Sequence, residues 1–85
     1  MRKIINIVGV GERKQGVGKS SGRPYDFTPI SFTYEDRFTS GLKAASVNLS
    51  QDCCPPGYAP SLGESVEVFM REDYKTGRIY IDGVC

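Results

Sequence analysis

The chain contains no histidine, no tryptophan and only three cysteines among its 85 residues. Without histidine, an ordinary Ser-His or Cys-His catalytic pair cannot form. Cys53 and Cys54 are adjacent, so they lack the Cys-x-x-Cys spacing of zinc sites, and no histidine is present to complete such a site. Adjacent cysteines also rarely bond to each other, and we expect Cys53, Cys54 and Cys85 to be reduced thiols. The sequence therefore predicts a protein that is not an enzyme and has no metal site.

Long apolar segments are also missing, since no run approaches the ~20 residues that a helix needs to cross a bilayer. The basic start, Met-Arg-Lys, leads into a short apolar stretch and then into charged residues, which argues against a signal peptide. We therefore expect a cytoplasmic protein that has no membrane partner. With 39% hydrophobic and 25% charged residues, a single folded domain is expected over residues 1–85. At this size, dimerisation commonly supplements a small core.

The glycines between Gly9 and Gly18 resemble a nucleotide-binding loop, but their spacing is wrong. A P-loop needs glycine five residues before the glycine of Gly-Lys-Ser, and that position is Arg13. A dinucleotide-binding fingerprint that starts at Gly9 needs glycine at position 14, which is Lys14. No helix is predicted to follow either pattern. We therefore expect no nucleotide cofactor and no small-molecule substrate.

The strongest positive feature is the run from Arg13 to Tyr25, which holds four cationic side chains, three glycines and no acid. Residues 1–25 carry six Lys or Arg against one acid, a net +5, while residues 26–85 carry five against nine, a net −4. The run leads directly into Tyr25 and Phe27, an aromatic pair at strand spacing. Flexible basic backbone beside aromatic rings suits a partner with phosphates and unstacked bases. This pattern predicts a site for single-stranded nucleic acid.

Apolar alternation with a period of two predicts strands throughout the chain. Strands are expected over residues 4–10, 24–34 and 44–49, followed by a hairpin over about 65–84. Because proline cannot donate to a β-ladder, Pro29 predicts an edge or a bulge at which the alternation shifts. Phe32 and Phe69 are the aromatic residues expected in the core. Short strands with long glycine-rich loops indicate an all-β protein with a small antiparallel barrel.

Three short motifs, in this order, resemble a known family. They are Gly22-Arg-Pro-Tyr-Asp-Phe27 after the basic loop, Tyr58-Ala-Pro-Ser-Leu62 before the last hairpin, and Gly77-Arg-Ile-Tyr-Ile-Asp82 closing that hairpin. Their order and spacing resemble those of the filamentous-phage gene V type of single-stranded DNA-binding protein. The likeness extends from about residue 13 to residue 82. Beyond Asp82 the family has basic residues that this chain lacks.

The resemblance implies a five-stranded OB-type barrel that acts as a homodimer. A protruding basic hairpin, the wing, corresponds to residues 12–33, and the second hairpin to residues 65–84. Such dimers bind single-stranded DNA cooperatively and sequester new viral strands during phage DNA replication in the bacterial cytoplasm. The implied DNA contacts are phosphate neutralisation and base stacking. The residues that we assign to these contacts are Arg13, Lys14, Lys19, Arg23, Tyr25, Phe27, Tyr34, Lys43 and Tyr74.

Two of these assignments depend on small shifts in the alignment. Tyr34 matches a second DNA-facing tyrosine of the family only if one residue is inserted after Phe27. Lys43 is offset from the family's third-strand lysine, because strict alignment puts Ser46 there. Tyr74 is near the position of a phenylalanine that reaches DNA on the partner subunit. At a hairpin tip, Tyr74 can serve as a stacking platform or as an interface anchor.

Two alternatives remain open at the level of sequence. A small β-barrel could use the basic loop and the exposed aromatics to dock on an acidic protein partner. The same surface could bind RNA, including a phage message whose translation it represses, since OB-type surfaces accept either nucleic acid.

Overall fold

The computed structural model describes residues 2–84, and its strands form one antiparallel sheet. The all-β prediction is confirmed. Cys85, expected to be a reduced thiol, lies outside the described residues, while Cys53 and Cys54 are half-buried free thiols. Among residues 2–84, no helix has the length and apolar character needed to cross a membrane. The strands are β1 (Arg2–Val10), β2 (Lys14–Val17), β3 (Pro24–Glu35), β4 (Leu42–Ser50), β5 (Ser65–Asp73) and β6 (Arg78–Val84), with a 3₁₀ turn over Gln51–Cys53.

The long strand β3 organises the sheet, because it pairs with three other strands. Ile30 pairs with Val10 of β1 on one side and with Val47 of β4 on the other. Nearer its start, β3 pairs with β2 on the side that β1 occupies further along. β1 and β2 therefore follow one another along the same edge of β3, interrupted at residues 11–13. The other edge of β1 continues the sheet through β5 to β6.

The sheet is open, and it has six strands where five in a closed barrel were expected. The sixth strand arises from the interruption that separates β2 from β1. β4 and β6 approach each other, but no ladder joins them within residues 2–84. A cleft of about 650 Å³ separates the two strands, with residues 43–48 on one side and 77–82 on the other.

The interruption between β1 and β2 explains how a proline fits into the middle of β3. The carbonyl of Pro29 accepts a hydrogen bond of 2.7 Å from the backbone N–H of Gly11. In an antiparallel ladder the N and C=O of one residue point to the same side, so the nitrogen of Pro29 also faces the interruption. No ladder bond is lost there, and β3 alternates without a bulge from Phe27 to Glu35. The predicted shift in alternation at Pro29 is wrong, and the irregularity lies instead in β1, between Ile7 and Gly9.

One face of the sheet forms the core. Phe32 is fully buried, as predicted, and Leu49 of β4 also lies inside. The prediction for Phe69 is wrong: its side chain is 41% exposed on the outer face, with the guanidinium of Arg2 5.2 Å from the ring centroid. Burying one large apolar side chain contributes about 1.5–3 kcal/mol, so the buried apolar residues together stabilise the fold. The buried apolar residues are Ile5, Ile7, Ile30, Phe32, Tyr34, Leu49, Val68 and Met70.

Candidate nucleic-acid interface

The predicted wing corresponds to a hairpin of β2 and the first residues of β3. Lys14 pairs with Phe27, and Gly16 pairs with Tyr25. None of residues 14–27 is buried, so this hairpin extends beyond the core. The side chains on its two faces therefore lie at the protein surface.

A glycine-rich turn closes the wing hairpin. The N–H of Gly18 donates to the carbonyl of Arg23 at 2.8 Å, and the N–H of Gly22 donates to the carbonyl of Gly18 at 2.9 Å. Gly22 has a φ of +66°, a conformation that glycine adopts without the strain of a Cβ. The turn fixes Lys19 and Arg23 at the exposed tip of the wing.

Tyr25 and Phe27 form an aromatic pair on the outer face of the wing. Their ring centroids are 5.9 Å apart, and the ring planes are inclined by 38°. Tyr25 is 45% exposed, and its ring packs over the backbone of Gly16 on the neighbouring strand. Paired residues of two strands lie on the same face, so Lys14 is beside Phe27 on this face. A cation and two aromatic rings are thus presented together to solvent.

Arg13 lies on the opposite face of the wing, in an ion pair with Asp26. Its Nε and Nη2 atoms donate to the two carboxylate oxygens at 2.8 and 2.6 Å. Gln15 adds a hydrogen bond of 3.2 Å to the same carboxylate. The hydrogen bond from Arg13 holds the pKa of Asp26 below its ordinary value. Arg13 was predicted to bind phosphate, but in this structure Asp26 already neutralises its charge.

The remaining predicted wing cations have no such partner. Within residues 2–84, no acid forms an ion pair with Lys14, Lys19 or Arg23, and all three side chains are exposed. The wing therefore carries three uncompensated positive charges. An array of this kind attracts a polyanion and weakens with salt.

A shallow groove continues the outer face of β3 beyond the aromatic pair. Its floor is made of small residues, and the hydroxyls of Ser31 and Ser46 are 3.0 Å apart across β3 and β4. A Cβ at Gly11 would come within 3.1 Å of Pro29, a close contact that a larger residue could make only if the proline ring moved slightly. The groove encloses about 460 Å³. Small side chains here let an extended polymer approach the sheet closely.

The nine predicted site residues fall into two groups and do not form one site. Arg13, Lys14, Lys19, Arg23, Tyr25 and Phe27 belong to the wing, at the start of β3. Tyr34, Lys43 and Tyr74 lie at the far end of β3, where they line another cleft. Nine residues separate Tyr25 from Tyr34, which is about 30 Å at the rise of an extended strand.

The structure contradicts the stacking role predicted for Tyr34 and places Lys43 and Tyr74 in different surroundings. Tyr34 is only 2% exposed, because it shares the inward face of β3 with Ile30 and Phe32, so no face of its ring is open for stacking. The Nζ of Lys43 is 3.3 Å from a carboxylate oxygen of Glu72, and this ion pair occupies its charge. The third residue, Tyr74, is 85% exposed at the tip between β5 and β6.

Sequence reasoning missed several residues of both regions. Phe38 is 88% exposed in the turn between β3 and β4, beside Arg37 and within the cleft that Tyr74 also lines. Its position next to the charged residue Arg37, shortly before Gly41, is similar to the signal that identified Tyr74 as a tip aromatic. The polar alternation of Ser46 and Asn48 on β4 likewise indicated a solvent face beside the wing.

Comparisons of this chain with protein-family models, curated proteins and solved structures found no match.

Proposed function

We propose that this chain binds single-stranded DNA without base-sequence specificity, by neutralising phosphates and stacking on bases. The observation that carries the proposal is the outer face of the wing, on which the exposed Tyr25 and the half-buried Phe27 lie beside Lys14. Aromatic stacking accepts any base, because every base has a π-face. Phosphate contacts supply affinity but no sequence information.

The geometry also supports a path for the strand. From the wing, a single strand would follow the outer face of β3, with Lys19 and Arg23 at one end and the groove of Ser31 and Ser46 at the other. The small residues of the groove accommodate the sugar-phosphate backbone without a steric barrier. This surface lies on two adjacent strands, as does the binding face of OB-type domains.

The motif resemblance extends the proposal to biology. The protein is then an OB-type domain that works as a cooperative homodimer in the bacterial cytoplasm. There it sequesters single strands made during phage DNA replication and disfavours their return to duplex. The open seam between β4 and β6 differs from a closed barrel, but the wing and the groove do not depend on closure of that seam.

A salt titration tests the proposal directly. The affinity for a fluorescent oligothymidylate is measured by anisotropy at several salt concentrations. The logarithm of the binding constant is expected to fall linearly with the logarithm of the salt concentration. Three uncompensated cations predict a slope of about −2 per protomer, from roughly −0.7 per neutralised phosphate. Absence of binding, or affinity that does not change with salt, would contradict the proposal.

A pair of cation variants makes the test specific to the wing. Lys14→Ala should reduce the slope by about 0.7, because one phosphate contact is lost. Arg71→Ala removes the same charge from a cation that Asp82 already neutralises, away from the wing and the groove, so the slope should stay the same. RNA and double-stranded DNA of equal length serve as competitors. If RNA displaces the oligothymidylate completely at equal concentration, the physiological ligand is RNA and the DNA assignment is wrong.

A further inference from the structure

A second cleft lies at the end of the sheet remote from the wing. It encloses about 390 Å³ between the turn after β3 and the β5–β6 hairpin. Three unusual side chains line it. Phe38 and Tyr74 are 88% and 85% exposed, the highest values among the exposed large apolar residues, and Tyr34 is 2% exposed.

The hydroxyl of Tyr34 is the unexplained group at this site. Within residues 2–84 it is the buried side-chain polar atom that lacks a hydrogen-bond partner. Buried polar groups are almost always paired, since an unpaired one has lost its hydrogen bonds to water without replacing them. Tyr34 packs in the core through its ring, at 5.8 Å from the ring centroid of Phe32, and reaches the cleft at its other end. A ligand acceptor in the cleft would satisfy the hydroxyl.

The two exposed aromatics indicate what kind of ligand would fit. Large rings on loop tips gain nothing from solvent, whereas a planar partner would stack on them. Phe38 and Tyr74 come from different turns but line the same cleft, so a flat group could contact both. A purine or pyrimidine base has that shape and also carries hydrogen-bond acceptors for Tyr34.

The charged side chains of the cleft indicate what the second part of the ligand would be. Lys3, Arg37 and Lys43 line it against Asp36 and Glu72, a net charge of +1. Lys43 is paired with Glu72 at 3.3 Å, whereas Asp36 accepts a hydrogen bond of 2.8 Å from the hydroxyl of Thr39 and keeps its negative charge. The ammonium group of Lys3 donates to the backbone carbonyl of Glu35 at 3.1 Å. Within residues 2–84 neither Lys3 nor Arg37 forms an ion pair, so both can contact a phosphate.

We propose that this cleft binds one nucleotide. Its base stacks on Phe38 and Tyr74, and its phosphate contacts Lys3 and Arg37. An acceptor atom of the nucleotide accepts a hydrogen bond from the Tyr34 hydroxyl. The nucleotide has two potential sources, a free mononucleotide or one unit of a bound strand. For the second source the inference rests on the proposed function. Because the Tyr34 hydroxyl is covered in this structure, binding requires the neighbouring Lys43–Glu72 pair to shift and open the cleft.

A spectroscopic titration of the full chain tests the inference. Thymidine monophosphate is added to ¹⁵N-labelled protein, and amide shifts of residues 36–39 and 72–76 are followed. A dissociation constant on the order of 1 mM is expected for one stacked base with one phosphate. Thymidine without phosphate should bind more weakly, because Lys3 and Arg37 lose their partner. An oligothymidylate titration forms the second arm, and shifts at the same residues only in that arm would identify a bound strand as the source.

Tyrosine variants separate a binding role from a structural one. Tyr34→Phe should weaken nucleotide binding about tenfold, the cost of one buried hydrogen bond. It should not lower Tm, since the hydroxyl makes no hydrogen bond within residues 2–84. Tyr80→Phe, a change of the same kind on the outer face under Arg71, is the control and should leave binding unchanged. Equal binding by Tyr34→Phe and wild type would overturn the role of the hydroxyl.

Two further results decide the outcome independently of the wing. Tyr25→Ala should weaken oligonucleotide binding but leave the mononucleotide shifts in the cleft intact, so that failure of one site does not imply failure of the other. Absence of shifts at residues 36–39 and 72–76 in both titrations would overturn the inference. The inference would also be overturned if Phe38→Ser and Tyr74→Ser changed the sedimentation coefficient but not nucleotide binding. That result would mean that the two rings contact a second copy of the chain.

Discussion

The ring of Tyr25 lies across the backbone of Gly16, its partner on the neighbouring strand of the wing. A Cβ at Gly16 would come within 2.6 Å of the Tyr25 hydroxyl and 2.9 Å of the ring carbon that bears it. Glycine is unfavourable inside a strand because it packs no side chain, and an aromatic ring across from it compensates. Gly16 therefore fixes the position of the ring that we assign to base stacking.

Gly16→Ala should weaken DNA binding without unfolding the protein. The added methyl group displaces the far end of the Tyr25 ring, which is a flexible group, so the change in Tm should be small. Oligothymidylate affinity should fall, because the ring no longer lies beside Phe27. Gly83→Ala is the control: its Cβ would approach the ring of Phe69, its partner on β5, at 3.3 Å, outside the wing and the groove. Equal affinity of Gly16→Ala and wild type would mean that the ring position does not matter.

Tyr25→Ala should cost about 1–3 kcal/mol of binding free energy, the contribution of one stacked base. Phe69→Ala is a matched control, because Phe69 is 41% exposed against 45% for Tyr25 and lies outside the wing and groove. Fluorescence anisotropy gives the affinities, and circular dichroism checks that both variants retain β-structure. A loss as large for Phe69→Ala as for Tyr25→Ala would show that the wing is not the binding surface.

Asp26→Asn should strengthen DNA binding, because it releases Arg13 from its ion pair. One additional phosphate contact would make the logarithmic salt slope steeper by about 0.7. Asp82→Asn is the control, since Arg71 and Asp82 form a similar two-point pair at 3.2 and 3.4 Å on another part of the sheet. Both substitutions raise the net charge by one. If the two variants bind equally well, the effect is one of net charge and Arg13 does not contact DNA.

Low pH should also release Arg13 from its ion pair with Asp26 in the wild-type protein. The hydrogen bond from Arg13 lowers the pKa of Asp26, so the stability that the pair supplies is present above the ordinary carboxyl pKa of about 3.9. It is lost as the pH falls through the lowered value of the folded state. The ion pair is therefore intact at neutral pH, where DNA binding is measured.

Alkaline pH should unfold the protein partly through its buried tyrosines. Burial raises the pKa of Tyr34, and burial together with a hydrogen bond to Glu64 raises the pKa of Tyr58. A group whose pKa is raised by folding stabilises the folded state at pH values below the pKa of the unfolded chain, which is about 10 for tyrosine. This stabilisation is lost as the pH rises through the raised pKa of the folded state. Tyrosinate absorbance should show both groups ionising together with unfolding.

Removing one of these tyrosines gives the check on that expectation. Tyr34→Phe should move the alkaline unfolding midpoint to higher pH, because the unfolded state can no longer gain stability by ionising that group. Tyr74 is 85% exposed in the folded protein, so Tyr74→Phe should leave the midpoint in place. A Tyr34→Phe midpoint at or below that of the wild type would show that another group controls alkaline unfolding.

The sequence predicted the strands and the aromatic pair of the wing, because both depend on local pattern. Alternating apolar residues identify a strand without knowledge of its neighbours. The predicted strand over residues 24–34 corresponds closely to β3, and Tyr25 and Phe27 share a face because they are two residues apart. The basic turn with its glycines is equally local, and it is found as the tip of the wing hairpin.

Local pattern could not predict whether two residues far apart on the same strand lie on the same face of the sheet. Tyr25 and Tyr34 are nine residues apart, an odd number, so they share a face only if the alternation shifts between them. Pro29 suggested such a shift. In the folded chain β3 runs through Pro29 without one, because the nitrogen of that residue faces the interruption between β1 and β2. Tyr34 consequently points into the core.

The amino-acid sequence by itself determined that this protein is all-β, that its positive charge is concentrated in the first 25 residues, and that aromatic rings follow the basic turn. These properties follow from composition and short-range periodicity. Only the tertiary structure decided which charges are free and which rings are open. Ion pairing of Arg13 with Asp26 and of Lys43 with Glu72 depends on strand register across 13 and 29 residues. Register is set by the packing of the whole sheet, which no local pattern specifies.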